Sequence, residues 1–388
     1  MDSMITRGWD VTNNNIAGAR SGYIEGYYGR LLDWSARHEL LAVMASLGMN
    51  SYIYAPKDDA AHRFSWRTPY DAQWRSGFAD FAAAAARQNI DVMAGIAPGL
   101  DFNFAELEKT SDGDFICLVK KARQLRADGA SHIVLLMDDI AADFDDRAGP
   151  FQSEGTAHAE LANHLMQAVD RPVVVVPRIY ADSLVDVADP YSLSYLKDLT
   201  STLAPDCPIV YCGSDIVAYD IGGDASGHIA DSRLLIWDNF YANDYCPRRL
   251  FVGPWRRPAE ASNILLNPTG LIETDKLLLE VMLIGDDVHK WRDLLGQHLP
   301  PPFFTVAYYF DAPYGFVPKF AVPPLEMALE AVDQLLWQWK SPLQREWYPV
   351  LMGLKQDLLI ADQQMPDERI AKTQSAALSG ALLAPPGD

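Results

Sequence analysis

The sequence has 388 residues, of which 49% are hydrophobic, so it is long enough to bury one barrel-sized core and a smaller appendage. Its formal net charge of -20 disfavours nucleic acid and anionic membranes as partners and is compatible with a neutral ligand. The first residues lack a basic patch followed by an apolar run, and no later stretch is apolar over a membrane-spanning length. We therefore expect a cytoplasmic protein.

Eight short segments rich in β-branched and aromatic residues recur along the chain, and each is predicted to form a strand. Two stretches, 133–137 and 173–176, are continuously apolar, as strands covered on both faces by helices must be. The eight predicted strands are residues 22–29, 51–57, 92–98, 132–139, 173–180, 208–213, 234–239 and 263–267.

Longer helical patterns separate these strands, at residues 33–48, 71–89, 114–128, 156–169, 192–204 and 271–285. Strand and helix alternate throughout, with eight strands in about 250 residues, which predicts an α/β protein with a (β/α)8 TIM barrel. A doubly wound open sheet would show the same alternation. We rank it second, because no GxGxxG segment opens a helix after the first strand.

The pattern changes beyond residue 300, where an aromatic and proline-rich connection precedes two helical stretches at about 324–340 and 343–361. This predicts a small helical appendage. We divide the chain into an amino-terminal extension, the barrel, and a carboxyl-terminal helical region with a frayed tail. Their predicted bounds are residues 1–19, 20–300 and 301–388.

Two neighbouring carboxylates, Asp138 and Asp139, follow the fourth predicted strand, at the end where barrels carry their active sites. Successive side chains of a strand point to opposite faces, so both acids reach one pocket only if the chain leaves strand geometry at one of them. Close carboxylates push their pKa values apart, so that one stays ionised while the other holds a proton near neutrality. The pair predicts general acid catalysis. The alternative is a helix N-cap followed by an acidic first-turn residue.

Five segments carry a family resemblance: GYIEGYYGR at 22–30, YIYAPKDDAAHRFSWR at 52–67, LLMDDI at 135–140, LIWDNFYAND at 235–244 and LLNP at 265–268. With these segments in this order, the chain resembles glycoside hydrolase family 84, the family of O-GlcNAcases and bacterial β-N-acetylglucosaminidases. It departs from the family at 29–34, where GRLLDW replaces the usual Pro-Trp. The path of the first strand-to-helix loop, and hence the aglycone side, is therefore not carried over.

The resemblance implies a retaining β-N-acetylglucosaminidase in which the 2-acetamido oxygen of the substrate attacks the anomeric carbon and forms an oxazoline. Asp138 would accept a hydrogen bond from the acetamido N–H and steady the developing positive charge. Asp139 would protonate the leaving oxygen and then activate water. No metal ion or cofactor is expected, because these residues and the substrate supply every role.

The same resemblance assigns the substrate-binding residues. Tyr180 would hold the acetamido carbonyl through its hydroxyl, and Trp237 would form the apolar wall of the acetamido pocket. The sugar hydroxyls would be bound by the backbone carbonyl of Gly26 and by the side chains of Lys57, Asn239, Asp244 and Asn267. Taken singly, the aromatic residues fit a core, the asparagines fit turns, and Lys57 fits an ion pair with an acid such as Asp58 or Asp59.

Other functions remain open on the sequence. A pseudoenzyme that binds N-acetylglucosamine without cleaving it is disfavoured, because both aspartates are present. A metal-dependent hydrolase could use the same pair as Mg²⁺ ligands. An endo-acting, hyaluronidase-like enzyme is the alternative within the glycosidases. The expected partner is a glycoconjugate that contains N-acetylglucosamine, while the natural aglycone and the oligomeric state are left undetermined.

Overall fold

The computed structural model describes residues 19–107, 112–141, 143–189, 191–223, 225–257 and 262–362. The predicted amino-terminal extension, apart from residue 19, and the predicted frayed tail lie outside the described residues.

Eight parallel strands form a closed barrel in chain order, and the last strand pairs with the first. The (β/α)8 prediction is therefore confirmed. The doubly wound sheet is wrong, because its first and last strands would not be paired. The strands are β1 Ser21–Glu25, β2 Ser51–Tyr54, β3 Asp91–Ile96, β4 His132–Leu136, β5 Val174–Val176, β6 Ile209–Tyr211, β7 Leu234–Asp238 and β8 Ile264–Leu266.

Every strand contributes a buried apolar side chain to one cluster, and some neighbouring members, such as Ile24 and Ile53, lie opposite each other in the strand register. The interior is thus filled with side chains and is not a pore, so ligands must bind at an end of the barrel. One member from each strand, in order, is Ile24, Ile53, Met93, Val134, Val174, Val210, Leu235 and Leu265.

Five helices connect the strands from β1 to β6 and agree with the predicted helical segments. Asp33, Asp71 and Ser153 cap three of them, because each side chain accepts a hydrogen bond from a backbone N–H in the first turn. The helices are α1 Trp34–Ser46, α2 Ala72–Arg87, α3 Asp114–Ala127, α4 Glu154–Val169 and α5 Tyr195–Thr202.

The described residues divide into two compact units. The barrel unit comprises the described parts of Met1–Asn239 and Ala261–Asn267, and the second unit those of Phe240–Glu260 and Pro268–Asp388. The domain boundaries that the sequence predicts at residues 20 and 300 stay a prediction. The second unit contains helices α6 Ile272–Ile284, α7 Val288–His298, α8 Pro302–Val306, α9 Leu325–Trp337 and α10 Pro342–Ala361.

A carboxylate from one helix of the second unit caps another. Glu346 of α10 accepts hydrogen bonds from the backbone N–H groups of Glu273 and Thr274, each at 2.9 Å, at the start of α6. The indole of Trp347 donates to the Thr274 hydroxyl at 2.8 Å. These bonds satisfy the free donors of the first turn of α6 and tie the two helices together. In the part of the chain that the structure describes, no helix has the length and apolar character of a membrane span.

Candidate active site

All predicted site residues except Asp244 lie in the barrel unit, at or just after the carboxyl ends of its strands. Hydrogen bonds join them into an acid group, Asp138, Asp139, Lys57 and Tyr180, and an amide group, Gly26, Trp237, Asn239 and Asn267. Cys212 connects the groups, since its N–H donates to the Tyr180 carbonyl at 2.7 Å and its Sγ accepts from Asn239 at 3.6 Å. The structure brings these eight residues together; their roles stay predictions.

The two aspartates follow β4, where the chain leaves strand geometry as the sequence predicted. Asp139 has a φ of 54°, in the left-handed region that few residues other than glycine adopt. Because of this turn, both carboxylates contact the ammonium of Lys57, that of Asp139 at 3.9 Å. The helix-cap alternative for Asp138 is wrong, because the next α-helix is capped by Ser153.

Lys57 is 2% exposed and donates to Oδ2 of Asp138. A buried ammonium of this kind needs a charged partner, because its desolvation would otherwise be uncompensated. The neighbouring Asp59 is occupied elsewhere, since it accepts from the hydroxyls of Tyr54 and Tyr70. The other carboxylate oxygen of Asp138, Oδ1, is buried and has no hydrogen-bond partner among the residues that the structure describes. It is therefore available to a donor on a ligand.

Two phenolic hydroxyls bind the carboxylate of Asp139. Tyr180 donates to Oδ1 at 2.7 Å and Tyr28 to Oδ2 at 2.8 Å. Burial by itself raises the pKa of Asp139, but the ammonium of Lys57 and the two hydroxyls outweigh burial and hold this pKa below its usual value. Which of the two carboxylates holds a proton during catalysis stays a prediction.

Both tyrosines remain hydrogen-bond donors. Burial, followed by the negative charge of Asp139, raises the pKa of Tyr28 and of Tyr180 well above the ordinary value for a phenol. Tyr28 is 41% exposed, so it connects the acid group with the solvent side of the site.

The amide group is a continuous hydrogen-bond chain among buried side chains. Oδ1 of Asn267 accepts from the backbone N–H of Gly26 at 3.1 Å, and its amide nitrogen donates to Oδ1 of Asn239 at 2.8 Å. The indole of Trp237 donates to the same oxygen at 2.9 Å, and Nδ2 of Asn239 donates to the carbonyl of Ile216 at 2.9 Å. These bonds fix the orientation of the indole and of both amides.

Gly26 lies against the ring of Trp237. A Cβ atom at Gly26 would stand 2.2 Å from Cζ2 of the indole, so only glycine fits while the ring keeps this position. The backbone carbonyl of Gly26, which the resemblance assigns to a sugar hydroxyl, therefore lies close to Trp237, the predicted wall of the acetamido pocket.

Asp244 belongs to the second unit, where its Oδ1 accepts from the backbone N–H of Tyr245 at 2.9 Å. Its part in sugar binding stays a prediction.

Three residues that contact or adjoin the site did not stand out in the sequence: Tyr28, His62 and Arg63. All three lie inside the quoted family segments, but nothing in residue type alone distinguishes them. Burial, and next the positive charge of Lys57, lowers the pKa of His62 to about 3, so this imidazole is neutral. Arg63 donates to the backbone carbonyls of both aspartates.

The described residues contain no obvious set of metal ligands. Among them, no group of three or more His, Cys, Asp or Glu side chains is arranged to hold an ion. The expectation that no metal is needed stays a prediction, for which chelation is the test.

Comparison with known proteins adds an independent result. A family model described as beta-N-acetylglucosaminidase matches residues 21–280. Protein O-GlcNAcase of Rattus norvegicus is 29% identical over 276 residues, and the match covers 67% of this chain. The corresponding protein of Mus musculus is 28% identical over the same length. In both cases the match spans only 29% of the relative's own length.

Proposed function

Because this chain belongs to the beta-N-acetylglucosaminidase family, as the resemblance predicted, we propose that it is a glycoside hydrolase that releases terminal β-linked N-acetylglucosamine with retention of configuration. The observation that carries the proposal is the acid group: two adjacent aspartates on a left-handed turn, a buried lysine on both, and a tyrosine hydroxyl on the second.

The first chemical step needs an oriented acetamido group. Oδ1 of Asp138 is the buried acceptor for the acetamido N–H, and the hydroxyl of Tyr180 is the donor for the acetamido carbonyl. Held in this way, the carbonyl oxygen attacks the anomeric carbon as the bond to the aglycone oxygen breaks, and the oxazoline forms in its N-protonated state, with its N–H still hydrogen-bonded to the carboxylate of Asp138. Asp139 gives its proton to the departing oxygen.

The second step reverses the direction of proton transfer. Asp139, now a carboxylate, takes a proton from water, and the oxygen of that water bonds to the anomeric carbon while the oxazoline ring opens. Asp139 therefore has to be protonated when the substrate is bound. A substrate carbonyl that takes over the hydroxyl of Tyr180 removes a donor from Asp139 and favours this protonation.

The amide group suits the remaining contacts with the sugar. Trp237 offers a flat apolar face to the acetamido methyl group. We assign the sugar hydroxyls to the carbonyl of Gly26, to the ammonium of Lys57, which donates, and to the amides of Asn239 and Asn267, which both donate and accept. A site built in this way rejects sugars that lack a hydroxyl, because its buried polar groups would be left unpaired.

The natural substrate is a finer question. The relatives are named Protein O-GlcNAcase, and we propose N-acetylglucosamine on protein serine or threonine as the first candidate substrate. The endo-acting alternative predicts cleavage inside N-acetylglucosamine polymers. A panel of O-GlcNAc peptides, chito-oligomers and hyaluronan, assayed with the purified protein, separates the two. A cytoplasmic location also stays a proposal.

The decisive test compares an aryl N-acetylglucosaminide with the corresponding aryl glucoside. Because the acetamido oxygen is the nucleophile, only the first should be turned over at a substantial rate. Equal turnover of both would exclude the substrate-assisted mechanism. Treatment with EDTA should leave the rate unchanged, and loss of activity that Mg²⁺ restores would favour the metal-dependent alternative.

A further inference from the structure

We propose that Arg63 is a positioning residue that fixes the backbone turn presenting Asp138 and Asp139 to one substrate. Its Nη2 donates to the carbonyl of Asp139 at 2.8 Å, and its Nη1 lies within 3.4 Å of the carbonyl of Asp138. Arg63 is 4% exposed. This inference rests on the proposed function, because it concerns the two residues to which that function assigns the chemistry.

The turn at Asp139 is less favourable than an ordinary backbone conformation. Asp139 has a φ of 54°, a conformation that aspartate adopts more readily than most residues but still less readily than glycine, so contacts that hold this turn stabilise it. The guanidinium is a planar fork with donors at fixed spacing, so it can bind two successive carbonyl oxygens at once. A lysine ammonium carries the same charge but not this fork.

The loop between β2 and α2 supplies both cations of the site. Lys57 contacts the two carboxylates, and Arg63 contacts the two carbonyls of the same residues. Between them, His62 is fastened to β3 and its end: its Nδ1 lies 2.9 Å from the carbonyl of Gly95, and its own carbonyl accepts from the N–H of Ala97 at 2.9 Å. The backbone that carries Arg63 is thus held by contacts other than those with the aspartate turn.

Charge and geometry make separable contributions at this position. Burial raises the pKa of Asp139, and the effects that lower it are, in order of size, the charge of Lys57, the hydrogen bonds from Tyr180 and Tyr28, and the charge of Arg63. Arg63→Lys retains that charge and removes the fork, whereas Arg63→Met removes both. Comparing the two variants therefore separates a geometric role from an electrostatic one.

A matched control lies elsewhere in the barrel unit. Arg233, just before β7, donates through Nε to the carbonyl of Cys207 at 3.0 Å and through Nη2 to that of Ala204 at 3.1 Å. It makes the same kind of fork to backbone carbonyls at the amino end of a strand, away from the acid group. Arg233→Met should therefore change kcat little.

The experiment measures kcat and KM on an aryl N-acetylglucosaminide, with thermal unfolding as the check on folding. A misplacement of about 1 Å in a site can cost roughly 100-fold in rate, so kcat should fall about 10- to 100-fold in both Arg63 variants, and KM should change less. Wild-type kcat in Arg63→Lys would overturn the geometric role. So would an equal fall in the Arg233→Met control.

A second measurement does not depend on activity. In a crystal structure of Arg63→Lys, we expect Asp139 to leave the left-handed region and the two carboxylates to lose their shared contact with Lys57. An unchanged turn overturns the inference, even if Arg63→Met fails to fold. If the wild-type protein cleaves no N-acetylglucosaminide, the proposed function fails, and this structure still decides the role of Arg63.

Discussion

The hydroxyl of Tyr180 donates to Oδ1 of Asp139 at 2.7 Å, so the residue assigned to the acetamido carbonyl is bound to the residue assigned as general acid. One hydroxyl cannot serve both acceptors fully. When a substrate carbonyl takes it, the carboxylate loses one of its two phenolic donors, and the pKa of Asp139 rises toward the value that an acid requires. We therefore expect substrate binding and protonation of Asp139 to be linked through this hydroxyl.

The pH dependence of the two tyrosine variants tests this link. Hydrogen bonds to a carboxylate favour its charged form, so Tyr180→Phe and Tyr28→Phe should each raise the pKa of Asp139 in the free enzyme. Asp139 is then protonated up to a higher pH, and the basic limb of the kcat/KM profile should move upward. Only Tyr180→Phe should also lower kcat strongly, because Tyr28 is not assigned to the acetamido group. A basic limb that moves downward in both variants contradicts the assignment.

The two aspartates should differ in their dependence on the leaving group. Asp139→Asn should slow substrates with alkoxide-like leaving groups far more than those with an activated phenol, and the gap should be about 100- to 10,000-fold, as for general acid catalysis. Asp138→Asn should slow both alike. Steady-state rates on a series of aryl N-acetylglucosaminides measure the effect.

Azide provides the control for the same pair. It should accelerate breakdown of the intermediate in the Asp139 variant, because an anionic nucleophile needs no general base. If the Asp138 variant shows azide rescue and leaving-group dependence instead, the roles are reversed. If neither variant is slowed, the pair is not the catalytic site.

Gly26→Ala should inactivate the site by displacing Trp237, the predicted wall of the acetamido pocket. The added methyl would stand 2.2 Å from the ring of Trp237, so the indole must shift and weaken its bond to Asn239. We expect activity to fall by roughly 100-fold and stability by about 1–3 kcal/mol, as for overpacking of a core. Gly296→Ala is the control, since its Cβ would meet nothing within 4 Å. Unchanged kcat in Gly26→Ala would mean that the indole position does not matter.

The buried ion pair between Arg37 and Glu25, the last residue of β1, should contribute strongly to the free energy of unfolding. Arg37 donates twice to the carboxylate of Glu25, at 2.8 Å each, with side-chain exposures of 4% and 0%. Arg37→Met leaves a buried carboxylate without its cation and should lower the free energy of unfolding by about 3–5 kcal/mol. Denaturant unfolding measures this loss.

The control for that experiment is a solvent-facing pair. Lys290→Met removes the partner of Asp287, where the side-chain exposures are 71% and 41%, and its unfolding midpoint should hardly move. If the two variants lose the same stability, burial is not what makes the Glu25 pair important.

The barrel could be predicted because its strands are short apolar segments that end in polar residues, a pattern with few other solutions. Helices α7 and α8 were not predicted. The prolines at 300–302 indicate a connection, whereas α8 begins at Pro302, because the first turn of a helix has no need of the proline N–H. Local pattern therefore identified the barrel better than it did the second unit.

The site was predictable only in part. The rule that strand ends carry function placed the residues at one end of the barrel, but it gave none of their pairings. Lys57 is adjacent to Asp58 and Asp59 in sequence yet binds Asp138, 81 residues away. Arg63 donates hydrogen bonds to backbone carbonyls. Because every residue has a carbonyl, the residue types in the sequence do not indicate which residues Arg63 binds.

The hydrogen bond between Gly26 and Asn267 joins residues 241 positions apart, across the seam where β1 meets β8. Contacts of such long range form slowly, because the chain between them must first be ordered. A folding intermediate in which β1 and β8 are not yet paired can therefore contain most of the barrel strands and still lack the sugar pocket. A ligand that fills the pocket binds the closed barrel and not these intermediates. Its binding during refolding would therefore report when β1 pairs with β8.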